Sequence, residues 1–191
     1  MKVLVARSTF EIETAYEKLS DAKVLGCDTE TSSLSARHGK IFSVQFSDGD
    51  FSILVPTSEG ISLGKLAEIL ENPNITKVFH NAKFDLEFLR ESGYQAQNIF
   101  DTMIAEKVLT KGAGQSANLA ETLYRYFAVD LEKSHRQIFT KNWNGIWTNE
   151  LVNYALSDVV HLSELKREQE LWLERLGLHE EFARQMAKII C

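Results

Sequence analysis

A chain of 191 residues with 44% hydrophobic and 25% charged residues lies in the range of ordinary globular proteins, and we expect one domain over residues 1–191. The net charge of −6 excludes a broad basic surface for duplex nucleic acid, so a polyanionic partner must be bound locally. The sequence has no apolar run of membrane-spanning length, no signal-peptide pattern, and two cysteines without metal-ligand spacing, so we expect no membrane contact and a cytoplasmic location.

The first part of the chain has the hydrophobic pattern of strands joined by a helix and a tight turn. Lys2–Ala6 is predicted as a short strand, Phe10–Leu19 as a helix, and Val24–Thr29 as a strand buried on both faces. In "IFSVQFSDGDFSILVP", two alternating runs surround Asp48-Gly49, a strong hairpin signal. These patterns predict that the first three strands of the sheet are antiparallel neighbours.

The rest of the chain alternates helix and strand, and then becomes helical. A helix is predicted around Leu63–Leu70, fourth and fifth strands of the sheet in "ITKVFH" and "QNIFDT", and a helix between them in "AKFDLEFLRESG", which indicates a right-handed parallel crossover. Further helices are predicted over Met103–Leu109, Asn118–Phe127, Asn149–Glu174 and Glu180–Ile190. The expected fold is α/β, with a five-stranded mixed sheet flanked by helices.

Three separate segments each carry a pair of polar side chains on one face. Asp28 and Glu30 are two residues apart on a strand, and side chains at that spacing leave a strand on the same side. Asn81 with Asp85, and Tyr154 with Asp158, are four apart in predicted helices, which again places each pair on one face. If the three segments converge, four carboxylates meet.

Like charges that lie this close remain ionised only when cations compensate them. A cluster of oxygen ligands without cysteine or histidine suits Mg²⁺ or Mn²⁺, and paired ions of this kind serve phosphoryl-transfer enzymes. Taken alone, each pair is explained as well by a helix cap or a solvated face. Their joint occurrence on apolar backgrounds favours a functional site.

The three motifs resemble those of the DEDDy 3′–5′ exonucleases of the ribonuclease H-like superfamily: "DTETSSL" the first, "HNAKFD" the second and "YALSD" the third. The stretch "NLAETLYRYFAVDLEKSHRQ" and the later "NELVNYALSDVVHL" are most similar to the ribonuclease D catalytic domain. The first two motifs are also similar to the proofreading domain of bacterial DNA polymerase I.

The resemblance implies a single 3′–5′ exonuclease domain that uses two divalent cations, Mg²⁺ or Mn²⁺, to release nucleoside 5′-monophosphates from single-stranded 3′ ends. It implies that the metal ligands are Asp28, Glu30, Asp85 and Asp158, and that these four act with Tyr154 in catalysis. By the same resemblance, the substrate-binding residues are Thr29, Leu34, His80 and Asn81.

Several alternatives stay open at this point. RNA is favoured over DNA as the substrate, but a trimming or proofreading exonuclease that acts with a polymerase, and a silent nucleic-acid-binding module, are the competing functions. The amphipathic C-terminal segment either closes the core or contacts a second copy or a partner protein.

Other residues have structural explanations beside functional ones. Local positive charge from Lys133, His135, Arg136 and Lys141 is as consistent with a solvated surface as with substrate binding. Trp143 and Trp147 are predicted mainly as packing anchors. Cys27 is expected to point into the core, and Asp101 to cap a helix.

Overall fold

One mixed β-sheet organises the computed structural model, which describes residues 2–131, 138–140 and 142–190. Six strands pair in the order β1-β4-β3-β2-β5-β6. They are β1 Lys2–Val5, β2 Val24–Thr31, β3 Ile41–Ser47, β4 Phe51–Val55, β5 Thr76–Phe79 and β6 Ile99–Asp101. The predicted antiparallel neighbours, β2, β3 and β4, and the parallel pair of β5 and β6 are confirmed.

The predicted count of five strands is wrong, because the N-terminal strand joins the sheet as a sixth member. β1 runs parallel to β4, with Lys2 opposite Phe51 and Val5 opposite Leu54. Backbone bonds from Lys2 N to Asp50 O (2.8 Å) and from Ala6 N to Leu54 O (2.9 Å) continue the pairing at its two ends. A parallel partner so distant in sequence gives no local signal, whereas a hairpin does.

The hairpin between β3 and β4 turns where the sequence predicts it. Gly49 has a φ of 101°, a conformation that favours glycine. The Asp48 carboxylate accepts hydrogen bonds from the backbone amides of Asp50 (2.9 Å) and Phe51 (2.7 Å). The turn thereby fixes the register of β3 against β4.

Helices cover both faces of the sheet. They are α1 Thr9–Leu19, α2 Leu66–Glu71, α3 Ala82–Glu91, α4 Thr102–Leu109, α5 Leu119–Phe127, α6 Asn149–Ser157, α7 Leu162–Arg175 and α8 His179–Ile190. One hydrophobic cluster joins α1, α2 and α3 to the sheet, and a second joins α4, α6 and α7 to the opposite face. The α/β architecture with a mixed sheet between helices is confirmed.

The single helix predicted over Asn149–Glu174 is wrong: the chain breaks between α6 and α7, at residues 158–161. The break packs on β2 at Gly26, where a Cβ atom would lie 2.3 Å from the carbonyl oxygen of Val159. The chain changes direction here while Val159 and Leu162 stay buried. A hydrophobic period that continues across the turn conceals it from sequence reasoning.

The C-terminal helix α8 closes the core, one of its two predicted roles. The ring centroid of Phe182 lies 4.8 Å from that of Phe100 on β6, and Met186 is 5% exposed. Contact with a second copy or a partner protein stays a prediction. Within residues 2–131, 138–140 and 142–190, no helix combines the length and the apolar character needed to cross a membrane.

Candidate active site

Three carboxylates from distant segments meet at one end of the sheet. Ligand atoms of Asp28, Glu30 and Asp158 all lie within 4.8 Å of one another. We call these three residues the acidic trio. The convergence of the first and third polar segments that the sequence predicts is therefore present in the structure.

The geometry of β2 explains how two members of the trio reach one point. Asp28 and Glu30 lie on the same face of β2, opposite Gln45 and Ser43 of β3. Directly after Glu30 the register between the two strands shifts, so that Thr31 pairs with Ile41. The irregularity ends the regular ladder beside the acids and leaves both side chains half-buried at the end of the strand.

Asp158 comes from the break between the two long C-terminal helices. It is the C-terminal cap of α6, with φ −77° and ψ −16°, so its backbone still follows the helical path. The four-residue spacing therefore keeps Tyr154 and Asp158 on one side of α6. Burial of Val159 against Gly26 fixes the turn that carries Asp158 over β2.

The electrostatics of the trio favour a bound cation. Burial raises the pKa of Asp28 well above its ordinary value, and the neighbouring charges of Asp85, Asp158 and Glu30 raise it further. Repulsion of this kind is relieved either by proton uptake or by a cation. Ionised carboxylates at this site therefore repel one another, and a bound metal ion would relieve that repulsion.

Asp85, the fourth predicted metal ligand, stands outside the trio in this structure. It is buried on α3, and its Oδ1 accepts hydrogen bonds from Thr29 N (3.1 Å) and Thr29 Oγ1 (2.7 Å). Burial raises the pKa of Asp85 to about 7, and the two bonds from Thr29 oppose that rise. The amide and the hydroxyl of Thr29 thus both donate to Asp85. Contact of Thr29 with substrate stays a prediction, as does contact of Asp85 with metal.

Asp101 joins the N-termini of two helices beside the site. Its side chain caps α4 by accepting from Met103 N (2.8 Å) and Ile104 N (3.2 Å), as predicted. It also accepts from Asn81 N (3.1 Å) and Ala82 N (2.8 Å), at the start of α3. Sequence reasoning missed this second role, because a cap between two helices leaves no pattern of spacing within either one.

The second motif begins outside its helix. Asn81 has a left-handed backbone (φ 74°, ψ 49°) and precedes α3, so the prediction that it shares a helical face with Asp85 is wrong. Its side chain is exposed. His80 is part-buried, with Nδ1 2.8 Å from Thr102 Oγ1, and burial lowers its pKa to about 4. A neutral imidazole supplies no positive charge, and contacts of either residue with substrate stay predictions.

Leu34 lies in the hydrogen-bonded loop between β2 and β3, which follows Asp28 and Glu30 in the sequence. A backbone bond from Ser32 N to Lys40 O (3.0 Å) and a bond from Lys40 N to Ser32 Oγ (2.9 Å) close the loop. Leu34 itself is 88% exposed. An apolar side chain held in solvent beside the site suits the predicted contact with a terminal base.

Aromatic side chains surround Tyr154. Its ring stacks on Phe139 with centroids 6.1 Å apart, and Phe139 contacts Trp143 and Trp147. Trp147 is 7% exposed and donates from Nε1 to Ser58 Oγ (3.2 Å), so the predicted packing role fits. Cys27 is fully buried, as expected. The predicted cations Lys133, His135, Arg136 and Lys141 lie outside the described residues.

Comparisons with known proteins identify the family. The sequence pattern of the 3′–5′ exonucleases matches residues 4–174. The chain belongs to the 3′–5′ exonuclease family. Ribonuclease D of Gluconacetobacter diazotrophicus is 30% identical over 172 residues, which are 88% of this chain and 42% of that protein. DNA polymerase I of Aquifex aeolicus is 28% identical over 155 residues, 81% of this chain and 25% of the polymerase.

Solved structures add a similar nuclease of similar length. NrnC of Brucella melitensis with bound Mg²⁺ has a TM-score of 0.80 and 25% identity, and the match covers 100% of this chain and 90% of that one. The same protein bound to pGG has a TM-score of 0.84. The chain thus spans nearly all of NrnC but less than half of the ribonuclease D relatives.

The acidic trio fits the divalent cations of a 3′–5′ exonuclease. Its ligands are carboxylate oxygens only, the donors preferred by Mg²⁺ and Mn²⁺. Burial and, after it, the neighbouring carboxylates raise the pKa of Asp28, and a bound cation would favour its charged form. The chemistry of the donor set and its charge therefore agree with a metal-dependent exonuclease.

Proposed function

We propose that this exonuclease hydrolyses phosphodiester bonds from the 3′ end of single-stranded nucleic acid, with RNA favoured, and releases nucleoside 5′-monophosphates by a two-metal mechanism. The observation that carries the proposal is the convergence of Asp28, Glu30 and Asp158 within 4.8 Å, from two segments that are more than one hundred residues apart in the sequence. Family membership supports the direction of attack.

Each acidic residue has a defined part in the proposal. Asp28, Glu30 and Asp158 would hold one divalent cation, and Asp28 and Asp85 would help to hold a second. Bound cations would activate a water molecule and stabilise the departing oxygen. Tyr154, fixed by its stacking on Phe139, hydrogen-bonds the attacking water.

The terminal nucleotide would lie against the loop that carries Leu34. The exposed Leu34 side chain packs against the last base, and the exposed Asn81 contacts the sugar or phosphate. Contacts of this kind need unstacked bases, which favours a single-stranded end over a duplex.

A basic cavity lies one helical turn beyond Asp85. It has a volume of about 420 Å³ and is lined by Arg37, Lys40, Phe88 and Tyr94, together with Glu91. Phe88 follows Asp85 by three residues on α3 and so lies on the same side of the helix. Among the described residues, neither Arg37 nor Lys40 forms an ion pair. The cavity supplies local positive charge for upstream phosphates on an acidic protein.

A second candidate substrate is a short 5′-phosphorylated oligonucleotide. It is favoured by the match to 90% of the NrnC chain, a protein that has been solved with pGG. Trimming of DNA with a polymerase is a third candidate, and similarity to DNA polymerase I supports it. All three candidates use the same acidic site.

Matched substrates test the proposal. Purified protein with Mg²⁺ or Mn²⁺ is given 5′-labelled RNA, DNA of the same sequence, and pGG; a ladder of 3′-shortened RNA products is expected. Asp28→Asn and Asp158→Asn should lower the rate at least a hundredfold, whereas Asp21→Asn, at an exposed position after α1, should not change it. An intact label in wild-type reactions, or full activity of Asp28→Asn, would contradict the proposal.

A further inference from the structure

A buried row of polar side chains on β3 faces the acids of β2. Ser43, Gln45 and Ser47 alternate along the strand, and each has no exposed surface. Gln45 pairs directly with Asp28 in the antiparallel register, and Ser43 pairs with Glu30. Because side chains of directly opposed residues lie on the same face, Gln45 lies beside Asp28 on the side that carries the trio.

Helix α6 covers this part of the sheet. It packs against β3 and β4, and Leu54, which pairs with Gln45 on the other side, belongs to the hydrophobic cluster beneath α6. Asp158 caps the same helix. Gln45 is therefore enclosed in the layer into which Asp28 and Asp158 project, not at the solvent side of the site.

One end of the Gln45 carboxamide forms a hydrogen bond, and the other does not. Nε2 donates to Ser43 Oγ at 2.6 Å, whereas Oε1 is buried and has no hydrogen-bond partner in the described part of the chain. A buried polar atom in this state is costly, and ordered water is the usual partner when protein atoms supply none.

The same row is satisfied at its far end. Ser47, opposite Gly26, forms a hydroxyl–hydroxyl bond of 2.8 Å with Ser52 of β4 and also accepts from Gly49 N. The unmet hydrogen bond is thus confined to the position beside Asp28. The hydroxyl of Ser47 is thus accounted for by hydrogen bonds within the sheet, whereas one polar end of Gln45 is not.

We propose that Gln45 is a positioning residue of the metal site: the free end of its carboxamide binds a water molecule that is shared with the cation held by the acidic trio. The inference rests on the proposed function, because it requires that cation. Ser43 orients the amide, and the water links the β3 row to Asp28. Mutation of residues that orient metal-bound groups in this way commonly lowers metal affinity by about 10- to 100-fold.

Titration of the metal-free protein with Mn²⁺ tests the inference. Gln45→Met keeps the volume and removes both polar ends; we expect the Kd for Mn²⁺ to rise about tenfold or more. The Tm of the metal-free variant should change little, because removing the half-satisfied amide offsets the loss of the Ser43 hydrogen-bond partner. Ser43→Ala should weaken Mn²⁺ binding in the same direction but less.

Ser47→Ala is the matched control, since it removes a buried hydroxyl of the same row away from Asp28. It should lower the Tm and leave the Kd unchanged. A purely structural Gln45 would show that same control pattern, and a Kd for Gln45→Met within twofold of wild type would overturn the inference. If Gln45→Met does not fold, an unchanged Kd in Ser43→Ala overturns it. Wild-type protein that binds no Mn²⁺ would overturn the proposed function as well.

Discussion

Thr29 determines where the Asp85 carboxylate points. Its backbone amide and its hydroxyl both donate to Asp85 Oδ1, at 3.1 and 2.7 Å, across the interface between β2 and α3. The residue between Asp28 and Glu30 thereby orients the carboxylate of Asp85. If Asp85 holds a cation as proposed, the Thr29 hydroxyl would influence the metal site through Asp85.

Replacing Thr29 by valine removes only the hydroxyl donor. We expect kcat/KM for a single-stranded oligomer to fall about tenfold, because outer hydrogen bonds to metal ligands commonly have that effect. Thr29→Ser retains the donor and should recover most of the activity. Equal activity of the valine and serine variants would show that the hydrogen bond is unimportant.

His80 makes the stability of the metal-free protein depend on pH. Its folded pKa of about 4 lies below the ordinary value of 6.5, so the unfolded chain binds more protons between those two values. The contribution of neutral His80 is complete above about pH 6.5 and is lost as the pH falls toward 4. Acidification therefore destabilises the fold through this residue.

Urea unfolding at about pH 7 and about pH 5 measures the effect. Relative to His80→Gln, wild type should lose about 1 kcal/mol of unfolding free energy between these pH values, a figure reduced for partial exposure. His38→Gln, at an exposed loop position, is the control and should follow wild type at both. A constant difference between wild type and His80→Gln would be inconsistent with a buried neutral imidazole.

Spacing predicted that Asp28 with Glu30, and Tyr154 with Asp158, share a face, because the periods of strand and helix fix which side chains point the same way. The expected cluster of four carboxylates is a cluster of three, since Asp85 bonds to Thr29 instead. Spacing did not predict the bonds of Thr29, the second role of Asp101 or the environment of Gln45, since each depends on a neighbour from another element. Alternating polar residues at 43, 45 and 47 on an otherwise apolar strand were the one available signal. Asn81 was misplaced because its left-handed backbone lies outside the helical period.

Among elements, α3 and α4 are held together by one carboxylate. Asp101 is 1% exposed and accepts four backbone hydrogen bonds, two from the start of α3 and two from α4. Anions at helix N-termini are also stabilised by the helix dipoles. Because α3 carries Asp85, this joint positions part of the site.

Asp101→Ala should lower the free energy of unfolding by about 2–4 kcal/mol, since four backbone amides, that of Ala82 fully buried and the others partly, lose their acceptor. Asn118→Ala is the control: at the exposed start of α5 it removes one capping bond of 2.9 Å and a bond of 2.7 Å to Ser116 Oγ, and it should cost about 1 kcal/mol. Chemical denaturation of both variants gives the comparison. Similar costs for the two substitutions would mean that Asp101 acts as an ordinary cap.

At the element scale, most helices and strands were predictable, because their patterns are local. The count of five strands and the unbroken helix over Asn149–Glu174 were wrong for one reason: each depends on a contact between residues that are far apart in the sequence. β1 joins the sheet through a parallel partner near residue 51, and the break before α7 is imposed by contact with Gly26. Neither contact leaves a trace in the hydrophobic period of the segment itself.

Because the whole molecule is acidic, positive charge must be concentrated on one part of its surface if nucleic acid is to bind. The net charge is −6, yet Arg37 and Lys40 line one cavity together with Phe88, which follows Asp85 by three residues on α3. The chain spans less than half of the ribonuclease D relatives, so the activity and substrates of those whole proteins are not transferred to it. Its organisation as a single domain over residues 1–191 stays a prediction.

Neutralising this cavity should weaken oligonucleotide binding and its salt dependence together. For Arg37→Gln with Lys40→Gln, we expect the slope of log K against log salt to decrease by about 1.4, or about 0.7 per lost phosphate contact on a single strand. Fluorescence anisotropy with labelled RNA and no divalent cation measures the slope. Lys23→Gln, exposed before β2 and away from the acids, should leave it unchanged; an equal change there would assign the effect to net charge alone.

The proposed reaction at the acidic trio removes nucleotides one at a time from a 3′ end. An RNA oligomer labelled in its last nucleotide, with Mg²⁺ or Mn²⁺ present, tests this through the identity of the first labelled product. We expect immediate release of a nucleoside 5′-monophosphate by wild type and none by Asp158→Asn. Release of a longer labelled fragment, of a 3′-monophosphate, or of the same product by Asp158→Asn would contradict it.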